Sequence, residues 1–97
     1  MKPTKIILVR HGESIGNIDK SLYAHIPDHA VPLTEKGKEQ ARQAGLEIRR
    51  LIRNGSVYAY CSPWVRAEQT FEGIRDAIQS NIVRTIQDVN YHRQFPQ

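Results

Sequence analysis

The sequence predicts an α/β fold, an open and mostly parallel sheet with flanking helices, on three observations. The run Ile6-Ile7-Leu8-Val9 is continuously apolar and then breaks within one residue to Arg10-His11-Gly12-Glu13. A helix-period pattern follows from Thr34 to Ile52, and a second short β-rich run, Val57 to Cys61, follows that. Apolar runs of four to eight residues alternating with amphipathic helices are the signature of parallel strands covered on both faces.

Length and composition bound the possibilities. The 97 residues suffice for one small domain, and such a chain buries roughly 60–65% of the surface it exposes when unfolded. With 39% apolar and 25% charged residues, the composition is that of a globular protein. The formal charge of +4 and pI near 9.5 suit an anionic ligand, although scattered surface cations produce the same balance. Cys61 is the single cysteine, so no internal disulfide can form and a cytoplasmic, reducing setting is expected. No stretch reaches the length of a membrane span, and Ile6 to Val9 is too short for a signal-peptide core.

Taken in order, Lys5 to Val9 is the first expected strand, buried on both faces, and Arg10 to Asn17 is the loop beyond its carboxyl end. In open α/β sheets that edge is where ligands bind. A weak helical pattern covers Gly16 to Tyr23. Ala24 to Leu33 carries Pro27 and Pro32 and reads as a loop. His25 and His29 have metal-ligand spacing, but Pro27 between them opposes a helix and no third ligand accompanies them. No metal or cofactor is therefore expected. Thr34 is the predicted N-cap of a helix with its apolar stripe at Ala41, Ala44, Ile48, Leu51 and Ile52. Arg49, Arg50 and Arg53 suit its negative end, and Asn54-Gly55 supplies the stop. No aromatic stacking surface interleaves with those arginines, so nucleic-acid binding is not expected. After the strand Val57 to Cys61, Ser62 is the predicted N-cap of a helix with Pro63 in its first turn and a stripe at Ala67, Phe71, Ile74 and Ile78. Gly73 weakens that helix. Ile82 to Ile86 is the third expected strand, and residues 87–97 carry no recognisable pattern.

Strand, helix, strand at this spacing is a right-handed crossover, which brings the carboxyl ends of both strands to one edge. Arg10 and His11 follow the first strand, and Ser62 to Arg66 follow the next. Arg66 can then reach the crevice with the amide groups of its own helix start. A planar guanidinium fork suits an oxyanion, and an imidazole suits nucleophilic or acid–base work.

Three stretches together resemble the histidine phosphatase superfamily, the phosphoglycerate mutase-like proteins. They are Leu8-Val9-Arg10-His11-Gly12-Glu13-Ser14 with Gly16-Asn17, Pro32-Leu33-Thr34-Glu35-Lys36-Gly37 with Gln40-Ala41, and Cys61-Ser62-Pro63-Trp64-Val65-Arg66-Ala67-Glu68-Gln69-Thr70. The resemblance implies that residues 1–97 form the front part of such a domain, recognisable over 1–86 with 87–97 as a tail. It implies His11 as the nucleophile that becomes phosphohistidine, and Arg10, Asn17 and Arg66 as phosphate contacts, with a small phosphorylated substrate as partner. Phosphatase and mutase chemistry both remain open. Glu13 and Ser14 are expected to shape the loop. A backbone carbonyl of the glycine loop is expected to hold one imidazole N–H, so that the other nitrogen can attack. Fixed arginines supply the charge neutralisation phosphoryl transfer needs without a metal. The family's second pocket histidine and its acidic proton donor have no recognisable counterpart. His92 and Asp88 are the only histidine and carboxylate beyond the Arg66 helix. The chain is accordingly expected to be a weak enzyme in isolation. Two other readings are a phosphate-binding module without turnover and, on charge alone, a basic nucleic-acid binder.

Overall fold

A computed structural model describes residues 5–21 and 25–87. Five elements follow in chain order: the one-turn helix α1 (Ile15–Ile18), helix α2 (Glu35–Ile52), strand β1 (Val57–Cys61), helix α3 (Val65–Ile78) and strand β2 (Ile82–Gln87). Single 3-10 turns cover Asp28–Ala30 and Gln79–Asn81. β1 and β2 are parallel neighbours joined by α3, in register Tyr58 with Arg84 and Tyr60 with Ile86. The α/β class and the open parallel sheet are thus present in a two-stranded form.

The helices form where their signals lie. The Thr34 hydroxyl accepts from the Gly37 N–H at 2.9 Å, capping α2, and Glu35 stands in the positive first turn. At the far end the left-handed residue is Arg53 (φ 52°) rather than Gly55. The Asn81 amide donates to the carbonyls of Arg53 and Gly55, 2.9 Å each, and holds the turn against the start of β2. α3 begins two residues later than Ser62 suggests: Trp64 is its N-cap, and the Ser62 hydroxyl instead accepts from the Trp64 N–H at 3.2 Å.

α2 and α3 pack through small residues. A β-carbon at Gly45 would lie 2.9 Å from the Ile74 backbone, and one at Gly73 would lie 2.7 Å from the Ala41 β-carbon. Gly73 therefore weakens α3 locally but permits the approach that buries Ala41, Ile74 and Ile78. Among the described residues, Val31 and Leu33 complete the buried apolar set.

The expected first strand departs from the reading. Residues 5–13 have no regular secondary structure, and Ile6 and Leu8 are 79% and 89% exposed. A strand exists only by pairing its backbone, and among the described residues neither β1 nor β2 pairs with this segment. Its apolar content states a capacity for burial that only sheet neighbours convert into structure. The crossover seen is therefore β1–α3–β2. Among the described residues no helix is long and apolar enough to cross a membrane.

Candidate functional site

The loop carrying His11 is fixed by its backbone. A β-carbon on Gly12 would lie 2.5 Å from the Gly37 carbonyl oxygen, and one on Gly37 would overlap the Glu13 carbonyl oxygen. Two facing glycines thus let the loop sit directly on the first turn of α2. The Glu13 carbonyl accepts from the Thr34 N–H at 2.9 Å, its carboxylate accepts from the Thr34 hydroxyl at 2.9 Å, and its N–H donates to Gln40 Oε1 at 2.9 Å. Ser14, almost fully buried, bridges antiparallel to Leu33, and the Ile15 N–H donates to the Pro32 carbonyl. The loop-shaping roles expected of Glu13 and Ser14 correspond to these contacts.

From the other side the loop is held by α3. The Gly12 N–H donates to Thr70 Oγ1 at 3.1 Å, and the same hydroxyl donates to the Arg66 carbonyl at 2.7 Å. Two hydrogen bonds therefore link the peptide beside His11 to the main chain of Arg66, although 55 positions separate them in sequence. Gln69, one residue earlier, accepts from the Leu33 N–H at 2.7 Å. Thr70, Gln69 and Gln40 all lie within the motifs, yet nothing in their local sequence announces these partners. The only hint is a threonine inside a helix, a position where the hydroxyl commonly bonds back to residue i−4.

His11 is half-buried, and its Nδ1 lies 2.7 Å from the Gly12 carbonyl oxygen. A carbonyl can only accept, so Nδ1 is the donor here, and in the neutral ring the lone pair then falls on Nε2. Arg10 is exposed and forms no ion pair or side-chain hydrogen bond among the described residues. Asn17 is exposed too, and its Oδ1 accepts from the Ser14 N–H at 2.9 Å and the Ser14 hydroxyl at 3.1 Å. Its carbonyl end is thus spent on the loop, leaving the amide NH2 as the group that could meet an anion.

Arg66 is the second residue of α3 and 95% buried. It pairs with neither Glu68 nor Asp76. Its Nη1 donates to the Asp28 carbonyl at 2.6 Å and lies 3.3 Å from the Asp28 carboxylate, while the guanidinium stacks 4.5 Å from the Trp64 ring centre. Asp28 belongs to the proline-bounded loop, where no pattern singles it out.

Cys61 ends β1 half-buried. Burial, with a smaller contribution from the Glu68 carboxylate, pushes its thiol up to about 11. It lines a cleft of about 360 Å³ with Glu68, Phe71, Glu72, Arg75, Thr85 and Gln87, and none of Arg10, His11, Asn17 and Arg66 borders that cleft. Among the described residues no group of three His, Cys, Asp or Glu is placed to hold a metal ion. Asp88 and His92 lie outside the described residues.

The model of the histidine phosphatase superfamily (branch 1) matches residues 6–92. The phosphoglycerate mutase-like protein AT74H of Arabidopsis thaliana is 48% identical over 83 residues, covering 76% of this chain and 30% of its own length. The broad-range acid phosphatase DET1 of Saccharomyces cerevisiae is 28% identical over 131 residues, covering 93% of this chain and 39% of its own. The chain thus spans about a third of the length of these relatives. Among solved structures, that of a protein assigned as the phosphohistidine phosphatase SixA of Nakamurella multipartitia superposes with a TM-score of 0.54. Its sequence identity is 20%, and the match covers 84% of this chain and 57% of that one.

Proposed function

The chain belongs to the histidine phosphatase superfamily, and from that premise we propose that it carries the nucleophile-bearing part of a phosphoryl-transfer site. The site takes small phosphomonoesters and passes their phosphoryl group through a phosphohistidine at His11. The contact between His11 Nδ1 and the Gly12 carbonyl carries this reading. In the neutral imidazole it favours the tautomer with the lone pair on Nε2, and it anchors the ring to a loop held by both α2 and α3.

Nε2 attacks phosphorus while the ester P–O bond breaks, and a general acid protonates the leaving oxygen. The N–P bond is then cleaved by water, which completes hydrolysis, or by a second hydroxyl, which completes a mutase cycle. The name of the yeast relative favours hydrolysis, and that of the plant relative leaves mutase chemistry open. Arg10, Arg66 and the Asn17 amide serve as phosphate contacts. Guanidinium groups supply the neutralisation, so the reading is of metal-independent transfer by a cytoplasmic protein. The 97-residue chain itself is a slow catalyst in this reading. Its motifs supply no acid for the leaving oxygen, a loss worth about 10²–10⁴ in rate.

The test is to incubate the chain with p-nitrophenyl phosphate and quench it. An acid-labile, base-stable phosphoryl group should appear on His11 and be absent in His11→Ala. If His11→Ala released p-nitrophenol at the wild-type rate, the reading would fail. Phosphate binding with no labelled intermediate would mark a binding module without turnover.

A further inference from the structure

We propose that Asp28, which lies in none of the three motifs, is the positioning residue that aims Arg66 at the phosphoryl group. The proposal rests on the reading of Arg66 as a phosphate contact and names what holds it.

A guanidinium has five N–H donors. Here Nη1 is engaged by the Asp28 carbonyl at 2.6 Å with the Asp28 carboxylate at 3.3 Å, and one face is covered by Trp64 at 4.5 Å. Nε and Nη2 have no acceptor among the described residues, although the side chain is only 6% exposed. Three buried donors without a partner are costly to leave so. They also form the edge with two parallel N–H groups that meets a phosphate bidentately. Asp28 therefore takes the one nitrogen not needed for that fork and prevents the plane from turning. The Asp28 side chain is 52% exposed, so removing it leaves no buried hole. Its loop is otherwise held by the turn bond from the Ala30 N–H to the Pro27 carbonyl.

The carboxylate could instead act as a competitor for the phosphate, and the two roles differ in sign. Inorganic phosphate binding is measured by calorimetry for the 97-residue chain, Asp28→Ala, Asp28→Asn, Arg66→Ala and the Asp28→Ala/Arg66→Ala double variant, with circular dichroism as the folding control. Asp28→Ala should weaken phosphate binding about threefold to fivefold, the range of a half-exposed ion pair. The effect should vanish when Arg66 is already alanine, as coupling through one contact requires. Asp28→Asn should fall between alanine and wild type. Tighter binding in Asp28→Ala, no change, or an equal loss in both backgrounds would overturn the proposal. Arg66→Ala binding phosphate like wild type, or a wild-type chain that binds none, would instead refute the reading of the site. Proton–nitrogen spectra then decide the positioning separately. Asp28→Ala should speed rotation of the Arg66 guanidinium, and unchanged rotation would overturn the proposal.

Discussion

The two arginines proposed as phosphate contacts stand in opposite physical circumstances. Arg10 is exposed, on a segment without secondary structure, and makes no ion pair among the described residues. Arg66 is buried on the first turn of α3, held at one nitrogen by Asp28 and on one face by Trp64. An exposed arginine loses rotamer freedom when it binds, whereas a clamped one has already lost it on folding. The His11 loop is hydrogen-bonded to Thr34 and Gln40 through Glu13 and to Thr70 through Gly12, while Ile6 to Val9 leading into it are exposed. The difference teaches that, of the two proposed phosphate contacts, the preorganised one is the one a helix supports.

The largest break in that comparison should come from Gly37→Ala. Its β-carbon would overlap the Glu13 carbonyl oxygen, a backbone atom that cannot step aside without lifting the loop. Overpacking of this kind costs about 1–3 kcal/mol or more. Chemical denaturation should show that loss, and phosphohistidine formation at His11 should fall with it. Full stability in Gly37→Ala would mean that the loop does not rest on α2 as described.

Next comes the contrast between the arginines themselves. Arg66→Ala should weaken phosphate or vanadate binding by about 2 kcal/mol or more, as for a charged hydrogen-bonded contact. Arg66→Lys should lose less than alanine but not recover wild type, because lysine lacks the fork. Arg10→Ala should cost less, near the about 1 kcal/mol of an exposed pair. Calorimetry on the four proteins ranks them, and an order with Arg10 above Arg66 would invert the comparison.

A smaller effect is expected at Thr70. Thr70→Val keeps the shape but removes the hydroxyl that joins the Gly12 N–H to the Arg66 carbonyl. The Gly12 bond is only part-buried, so the loss should be about 1 kcal/mol, the net worth of an ordinary hydrogen bond. Thr70→Ser retains the hydroxyl and should restore most of it. Equal stability of the valine and serine variants would show that the relay contributes nothing.

How much of this was legible in the sequence follows from the range of each interaction. The α2 cap at Thr34, the strand Val57–Cys61 and the strand from Ile82 are local or periodic features, and each forms near its expected bounds. The bond from Nδ1 of His11 to a loop carbonyl is also local, between adjacent residues. Asp28 on Arg66 and Thr70 on Gly12 are separated by 38 and 58 positions, and no spacing rule reaches that far. The apolar run at Ile6 forms no strand for a related reason: a strand is a property of a pair, and pairing is long-range. Gly73 read as a defect within its own helix, and its purpose shows only against Ala41.

The smallest expected effect concerns Cys61, which stands at the end of β1. Its thiol is raised from an ordinary value of 9.0 to about 11, first by burial and then by Glu68. At neutral pH it is protonated whether folded or unfolded, so it contributes no pH dependence there. Above pH 9 the unfolded chain loses this proton while the folded chain keeps it until about 11. The folded state then holds more protons than the unfolded one, so stability falls as pH rises through that window. Cys61→Ala should lose this contribution and show a shallower fall than wild type, compared by urea unfolding at pH 8 and pH 10. Alkylation by iodoacetamide should likewise be slow in the folded chain at pH 8 and fast in urea. Rapid alkylation of the folded protein at pH 8 would show a thiolate at Cys61, and with it a looser junction between β1 and α3 than the packing around Ile74 and Ile78 implies.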